Sequence, residues 1–391
     1  MKSERGQALI LIAFGLVAML GLTALALDGG NAYADRRHAQ NAADTAALTA
    51  ALAKIGNQDW NQAALVRAAN NNYDNNGTSN TVTVYSPPIE GQYACPASNC
   101  NDYVQVVITS TVDTWFARIL GINQVNNRVQ AVARAKPPRP YYSGNAVVAL
   151  SPGDGKDNTP ELTLYGGALV DVSGSGIFVN SSDNCSITSS NNTDVFLPSI
   201  DVVGTACGIS GISTSTVPQV PYPPNYDYLD DLCSRPNAIH VSGDFPKSST
   251  PETLPSNTIY CISGDFSITS NSTVLNGTGI TFVVAKGVKI NGGELHISSP
   301  SNLPLFYLPY ASNKVGNNNY DVTINGNTGM LLRGQFLAPA SHCKINGTSG
   351  TNPLQGQLIC YTLELGGTAD TYVIYNDIDN MDEPPQIELT K

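Results

Sequence analysis

Four six-residue stretches near the C-terminus share one pattern, an alternating strand followed by a turn: VKINGG at 288–293, VTINGN at 322–327, CKINGT at 343–348 and LELGGT at 363–368. FSITS at 266–270 is a looser copy, while GQFL at 334–337 and GQLI at 356–359 repeat a second phase 22 residues apart. Their core positions Ile268, Ile290, Ile324, Ile345 and Leu365 lie 22, 34, 21 and 20 residues apart, and an insertion around 309–320 explains the longer interval. A period near 20 residues, with short strands and turn residues, predicts stacked coils.

Stacked coils give this region a hydrophobic core that one coil cannot form. Coils about 4.8 Å apart bury a continuous column of Ile, Val and Leu, and Gly and Asn suit the corners because they tolerate positive φ. Residues 162–203 contain similar, less regular strands, and residues 215–236 form an excursion that contains Pro218, Pro221, Pro223 and Pro224. We therefore predict a mostly β chain with a right-handed parallel β-helix (β-solenoid) over residues 145–391. A β-sandwich of unrelated strands is the alternative.

The chain before the repeats has a different character. The stretch KPPRP at 136–140 predicts a stiff Pro-rich linker over residues 137–144. Residues 56–136 predict a small α+β domain, with a helix over 59–72, strands over 81–85, 103–108 and 125–135, and a short helix over 114–120.

The N-terminus, residues 1–55, predicts one long helix. Residues 8–27 form a 20-residue apolar run without a charge, in which Thr23 has the only side-chain hydroxyl. Twenty helical residues rise about 30 Å, the thickness of a bilayer core. An Ala-rich stretch without proline then continues to residue 53. Small side chains at Gly15, Ala18, Gly21 and Ala24 predict close helix–helix assembly. A cleaved signal peptide is the alternative, because Ala24-Leu25-Ala26 has the small-x-small form of a cleavage site.

Several motifs in this N-terminal segment resemble one family. They are a basic leader ending Arg5-Gly6-Gln7, the apolar helix, the exit Leu27-Asp28-Gly29-Gly30 and the stretch QNAADTAA at 40–47. Together they resemble the TadE/TadG-like proteins of the tight-adherence pilus system, in the type IV pilin superfamily, strongly over residues 1–55 and weakly to residue 135. The resemblance implies a pilus-associated protein, a pilin-like head at 56–136 and leader processing between Gly6 and Gln7. The position at which many pilins carry Glu is Leu11 here.

Composition and charge indicate a cell-surface location. The net charge is −11, and the longest basic run is Arg36-Arg37, so nucleic-acid binding is not expected. Lys2 and Arg5 precede the apolar helix, which predicts a cytoplasmic N-terminus and an extracellular remainder. We expect a single-pass membrane protein or a subunit of an extracellular filament. Its expected partners are the membrane, copies of itself or other pilus subunits, with a surface glycan or cell-surface ligand as a further candidate.

Eight cysteines, an even number, fit an oxidising compartment. None forms a C-x-x-C motif and no histidine lies near two of them at metal spacing, which argues against zinc. One coil of separation, as between Cys185 and Cys207 or Cys343 and Cys360, brings residues within disulfide reach. Cys233 and Cys261 bracket the end of the excursion, and Cys95 and Cys100 are neighbours in a loop. We predict the nearest-neighbour pairs Cys95–Cys100, Cys185–Cys207, Cys233–Cys261 and Cys343–Cys360.

Residues typical of catalysis are sparse. The four histidines, His38, His240, His296 and His342, accompany no nucleophile motif, and the chain has no P-loop or dinucleotide fingerprint. We expect no enzyme activity and no cofactor, and a structural or adhesive surface role. The alternative is a surface-anchored β-helix carbohydrate-active enzyme.

Two acidic clusters have oxygen ligands that suit Ca²⁺, namely Asp227, Asp230 and Asp231, and Asp377, Asp379, Asp382 and Glu383. Solvated acidic loops are the alternative there. Glycosylation is left open at the sequons of Asn76, Asn180, Asn184, Asn191, Asn271, Asn276 and Asn346.

Overall fold

The structure is a computed structural model that describes residues 5–92, 94, 100–153, 155, 160–190, 193–247, 251–310, 321–326, 329–348 and 352–390. It divides into two compact units. Unit 1 comprises Met1–Pro138 and Pro384–Lys391, and unit 2 comprises Arg139–Glu383.

Unit 1 is a long helix and a short helix packed on an antiparallel sheet. The helices are α1, Arg5–Ile55, and α2, Trp60–Ala69; the strands, in the order β1-β2-β3-β30, are Asn80–Tyr85, Tyr103–Asp113, Gln124–Lys136 and Gln386–Thr390. Asp59 caps α2 by accepting the backbone N–H of Gln62 at 3.0 Å. The predicted helix, hairpin and third strand of this domain are therefore present. The predicted short helix is a 3-10 turn at Ala117–Leu120.

The C-terminal strand differs from the sequence expectation, which assigned residues up to 391 to the repeat region. β30 pairs with β3, and Lys136 lies opposite Gln386 in the register. Thr390 adds a hydrogen bond from its hydroxyl to the carbonyl of Val132 at 3.0 Å. Unit 2 is thus inserted between two neighbouring strands of unit 1.

Unit 2 consists of short strands that pair in parallel, apart from one antiparallel pair formed by β4 and β29. Its strands from β4 to β17 are Arg139–Pro140, Val147–Ala149, Leu162–Gly166, Leu169–Ser173, Ile177–Val179, Ile187–Ser189, Asp194–Phe196, Ser199–Val202, Ala206–Cys207, Ser213–Thr216, Ala238–Val241, Glu252–Thr253, Ile259–Ile262 and Phe266–Ile268. Those from β18 to β29 are Val274–Thr278, Thr281–Val284, Val288–Asn291, Glu294–Ser298, Phe306–Tyr307, Val322–Asn325, Met330–Arg333, Phe336–Asn346, Leu354–Gln355, Leu358–Gly367, Thr371–Ile374 and Asp382–Glu383.

The parallel strands form three columns. Column A runs β13-β11-β8-β5-β27-β25-β22-β19-β16-β14, column B runs β12-β9-β6-β27-β25-β23-β20-β17, and column C runs β10-β7-β28-β26-β24-β21-β18-β15. The long strands β25 and β27 contribute to both column A and column B. Outside the segment from β12 to β15, the chain therefore visits the three columns in turn.

Side chains at repeat positions stack in register. The five core positions found in the sequence pair in order in column B: Ile268, Ile290, Ile324, Ile345 and Leu365. In column A, Phe282, Phe306 and Phe336 are successive partners, with ring centroids 5.1 and 4.8 Å apart. These residues belong to one buried apolar cluster, so the sequence repeat generates a continuous core.

Polar and glycine positions stack as well. Asn346 donates its amide to the side-chain oxygen of Asn325 at 2.6 Å, and buried Gln335 donates to Gln357 at 2.7 Å. At the repeated Gly334 and Gly356, a Cβ on Gly356 would lie 2.1 Å from the carbonyl oxygen of Gly334. Only glycine allows this close approach of neighbouring corners.

The order of stacking differs from the order in the chain. Leu365, at the end of the regular repeats, pairs with Leu164, at the start of the irregular ones. The chain thus enters the stack in the middle at β5, proceeds to β13, and resumes at the opposite end with β14 before returning to β27. Column A holds ten strands along this path, and spacings of about 4.8 Å make it roughly 43 Å long. Residues 217–237 make the connection.

This connection covers the outer face of column A. Tyr226, Leu229 and Leu232 are buried in a second apolar cluster with Val148, Phe178, Ile259, Tyr307, Leu337 and Ile359 of the column. Asn180 fixes the start of the connection, because its amide group accepts from the backbone N–H of Val220 at 2.8 Å and donates to the Val220 carbonyl at 3.1 Å. Burial on both faces explains why β5, β8 and β16 are buried at every position.

Three of the predicted disulfides are present: Cys185–Cys207, Cys233–Cys261 and Cys343–Cys360, with Cα atoms 5.0, 5.9 and 6.2 Å apart. The predicted Cys95–Cys100 pair lies outside the described residues because Cys95 does. Residues 139–141 of the predicted stiff linker pack within unit 2: β4 pairs with β29, and Tyr141 is buried in the second cluster.

Candidate functional site

The N-terminal helix is the segment to which the sequence assigns a function, and its two halves have opposite environments. Large apolar side chains of the first half contact little of the chain; Leu11, Phe14, Leu16 and Met19 are 72%, 72%, 56% and 73% exposed. By length and composition the helix can cross a membrane. The predicted processing residues Gly6 and Gln7 lie inside α1, which begins at Arg5.

The predicted assembly residues lie in this exposed half. Apart from the neighbouring backbone of the helix itself, no atom of the described residues lies within 4 Å of a Cβ built on Gly15 or Gly21. Ala18 is exposed and Ala24 is half-buried. A helix turns about 100° per residue, so residues three apart are offset by about 60° and Gly15 and Ala24 lie on opposite sides. The four small residues therefore form an inclined ridge, and the role assigned to them stays a prediction.

The second half of α1 is the core of unit 1. Ala39, Ala42, Ala43, Ala46, Ala47, Ala50 and Ala51 are all fully buried. They pack against Ala64 and Ala68 of α2 and against alternate Val, Ile and Ala side chains of β2 and β3. Alanine has the smallest side chain that keeps helix propensity, so this stripe lets the sheet approach the helix closely.

Asp28, the first residue after the apolar run, connects the helix to the β2–β3 loop. Its carboxylate is buried and accepts the backbone N–H groups of Trp115, Phe116 and Ala117 at 2.9, 3.0 and 2.6 Å. These bonds, chiefly the one from Ala117, lower the pKa of Asp28 because they stabilise the charged form. A carboxylate with three donors thus holds the loop at the point where the apolar run ends.

Asp35 makes a second connection two turns further along. Its carboxylate accepts from the Ser110 hydroxyl at 2.5 Å, the Asn127 amide at 2.7 Å and the Tyr73 hydroxyl at 3.1 Å. Burial, with the nearby Asp35 charge, raises the pKa of Tyr73 and keeps its hydroxyl a donor. The two carboxylates lie on one side of α1, because seven residues turn the helix through nearly whole turns.

Sequence reasoning did not assign these roles to Asp28 and Asp35. A signal was present, since two acids seven residues apart follow directly after an uncharged run. The partners of Asp28 could not be read from the sequence, because the backbone donors at 115–117 carry no side-chain signature. Those of Asp35 are side chains 38 to 92 residues away in the chain, which no local pattern connects to it.

The candidate catalytic and metal-binding residues do not converge. Asp231 pairs with Arg235 at 2.9 Å, Glu383 pairs with Arg139 at 3.3 Å, and Asp377 accepts from the Tyr375 hydroxyl at 2.7 Å. In the part of the chain that the structure describes, no three His, Cys, Asp or Glu side chains are grouped around a metal position. Burial lowers the pKa of His342, whose ring Nδ1 is hydrogen-bonded to the Thr362 hydroxyl.

The sequons differ in accessibility. Asn180 is fully buried and its amide is hydrogen-bonded to Leu150 and Val220, which leaves it unavailable in the folded unit. Asn76 is exposed, with its side-chain oxygen accepting from the Thr78 N–H at 2.9 Å. Asn191 lies outside the described residues.

Comparison with known proteins gives one match. A family model described as Tad, putative Flp pilus-assembly TadE/G-like, matches residues 6–53. No curated protein and no solved structure matches the chain. The match covers α1 almost from end to end, and it confirms the similarity to pilus-assembly proteins that the N-terminal motifs indicated. The similarity to pilus-assembly proteins thus concerns α1, and its apolar helix fits a membrane-anchored or pilus location.

Proposed function

We propose that this chain is a membrane-anchored structural or adhesive protein of a tight-adherence pilus system, with a pilin-like unit 1 that carries a β-solenoid on the outer side of the membrane. The observation that carries the proposal is the division of α1. The run over residues 8–27 is uncharged and of bilayer length, and its described side chains, from Leu11 onward, are mostly exposed, while the other half of α1 is the core of a folded unit. This is the arrangement expected of a helix whose first half crosses the membrane and whose second half forms the core of the domain that follows it.

The solenoid part of the proposal rests on the three columns of unit 2. Successive visits to each column are parallel and in register, with Ile, Phe and Asn stacked on like residues. A right-handed path is proposed because connections between parallel strands are nearly always right-handed. The proposed roles of unit 2 are display and adhesion, with a surface glycan or protein as ligand.

We also propose that the chain has no hydrolase activity. Three of the seven carboxylates in the two acidic clusters contact Arg or Tyr side chains, namely Asp231, Glu383 and Asp377. Incubation of the purified full chain with uronate polymers, with and without Ca²⁺, should give no cleavage above buffer. Metal-dependent release of oligosaccharides would favour the carbohydrate-active alternative.

Membrane anchoring is tested by charge substitution within the helix. One lysine at the centre of a spanning helix costs about 3 kcal/mol of insertion, so Leu16→Lys should weaken and Leu16→Lys with Leu20→Lys should abolish membrane fractionation. Leu52→Lys is the matched control, because Leu52 is 59% exposed and Leu16 is 56% exposed on the same helix. Wild-type fractionation of the double variant would contradict the anchor.

The orientation needs a separate measurement. Protease added to intact cells should digest unit 2 of the wild-type chain without lysis. Digestion that requires lysis would contradict display outside the cell, even if the anchor itself is present.

A further inference from the structure

The loop between β2 and β3, residues 114–123, exposes a set of large apolar side chains. Trp115 is 78% exposed, Ile119 85%, Ile122 51% and Phe116 44%. Scattered apolar residues are ordinary on a protein surface, but four within eight residues form a contiguous patch. Arg118, in the middle of the loop, is also exposed.

The loop has a defined conformation, so its apolar side chains are presented outward by the fold. Besides the three N–H groups bound by Asp28, the N–H of Thr114 donates to Asn123 at 3.0 Å, that of Gly121 to Arg118 at 3.0 Å and that of Ile122 to Ala117 at 3.1 Å. The Thr114 hydroxyl donates to the carbonyl of Ile122. A loop with most of its backbone donors satisfied within the protein can leave water at low cost, whereas unpaired donors would oppose this.

The position of the loop identifies what covers the patch. Asp28 is the first residue after the uncharged run, and it is hydrogen-bonded to the loop directly. When the run crosses a bilayer, Asp28 lies at the headgroup level and the loop lies beside it. Indole rings are enriched at that level, and a basic side chain there meets lipid phosphates.

We propose that residues 115–122 insert into the headgroup and upper acyl region of the membrane, as a second contact that fixes unit 1 against the bilayer surface. This rests on the proposed membrane anchor. The occupant is lipid, because the patch continues the apolar surface of α1 at its exit point. Trp115 and Ile119 supply most of the buried apolar surface, and Asp28 holds them at the right depth.

The test uses Trp115 as its own reporter. The chain has two tryptophans, so Trp60→Phe leaves Trp115 alone and Trp115→Phe leaves Trp60 as the control. The Nζ atom of Lys54 lies 5.5 Å from the centroid of the Trp60 ring. Lys54 is about 40 Å from Asp28 along the helix. Each full-length variant is placed in vesicles of phosphatidylcholine and phosphatidylglycerol, with bromines near the headgroup end or the methyl end of the acyl chains.

Flotation with the vesicles reports the anchor, and quenching reports the loop. We expect both variants to float, Trp115 fluorescence to be lost mainly to bromines near the headgroup end, and Trp60 fluorescence to be retained. Flotation with unquenched Trp115 would overturn the inference and leave the anchor standing. Failure to float would overturn both. A blue shift of Trp115 fluorescence that grows with the protein-to-lipid ratio, without quenching by bromine, would identify a neighbouring subunit as the occupant. That result would also overturn the inference.

A second pair of variants guards against effects on folding. In the Trp60→Phe chain, Ile119→Glu places a charge on an 85% exposed residue and should reduce the quenching of Trp115 without preventing flotation. Ile89→Glu, at a 56% exposed residue elsewhere in unit 1, should leave quenching unchanged. Equal effects of the two substitutions would contradict insertion of the loop.

Discussion

Removing the Cys233–Cys261 disulfide should destabilise unit 2 and release the connection that covers column A. The bond joins residues 28 apart, one in the connection and one in β16. The chain-entropy relation gives about 3.6 kcal/mol for a closed loop of this length. With a urea slope of about 3 kcal/mol per M, the double variant Cys233→Ala/Cys261→Ala should unfold at a urea concentration lower by about 1.2 M.

The assay is urea unfolding of the detergent-solubilised full chain, with hydrogen exchange read by mass spectrometry on peptides of unit 2. Amides of Leu229 and Ser234, which donate to Tyr226 and Asp231 at 2.8 Å each, report the connection. The control is Cys185→Ala/Cys207→Ala, whose 22-residue separation predicts a similar loss, about 3.4 kcal/mol. Only the first variant should accelerate exchange in the connection. An unchanged midpoint, or equal acceleration in both variants, would refute this reasoning.

Three further changes test the core, the charge and the corners. Phe282→Ala, at a fully buried ring, should cost about 3–5 kcal/mol in urea unfolding, whereas Phe196→Ala, at a ring 63% exposed, should change little. Because the pKa of Asp28 is lowered from its ordinary 3.8, its stabilising effect is present above that value and lost as pH falls through the folded pKa. Acid titration of Trp115 fluorescence in the Trp60→Phe chain should show this loss, and Asp28→Asn should remove the transition. Gly356→Ala should lower the unfolding midpoint strongly, while Gly167→Ala, with no atom within 4 Å of its Cβ, should not.

Local patterns in the sequence predicted much of both units. The Ile-x-Gly repeat predicted the column from Ile268 to Leu365. The inward-facing positions recur once in each passage of the chain through the three columns, so they are visible as a sequence repeat. The one-coil separation predicted the disulfides Cys185–Cys207 and Cys343–Cys360 for the same reason. The apolar run and the Ala-rich stripe together predicted α1. The length of the run accounts for the exposed half of the helix, and the spacing of the alanines accounts for the buried half.

Long-range pairings were not predictable in this way. The contact of Leu365 with Leu164 joins residues 201 positions apart, and no local pattern distinguishes it from sequential stacking. Residues 386–390 are too short and too exposed to predict that they pair with β3. The Pro-rich excursion gave no sign that its Tyr and Leu side chains cover column A, because irregular segments lack a periodicity that would reveal a buried face.

The insertion of unit 2 between Lys136 and Gln386 has an architectural consequence. These residues are register partners, so the whole of unit 2 occupies the place of a hairpin turn. A turn can be replaced without altering the strands that flank it, so the fold of unit 1 can carry different insertions at this position. The stack can also lengthen or shorten at β13 and β14 while β5 and β27, near the entry and exit of the chain, keep their places. A change in the number of stacked strands of unit 2 therefore need not alter the strands of unit 1 that pack on α1.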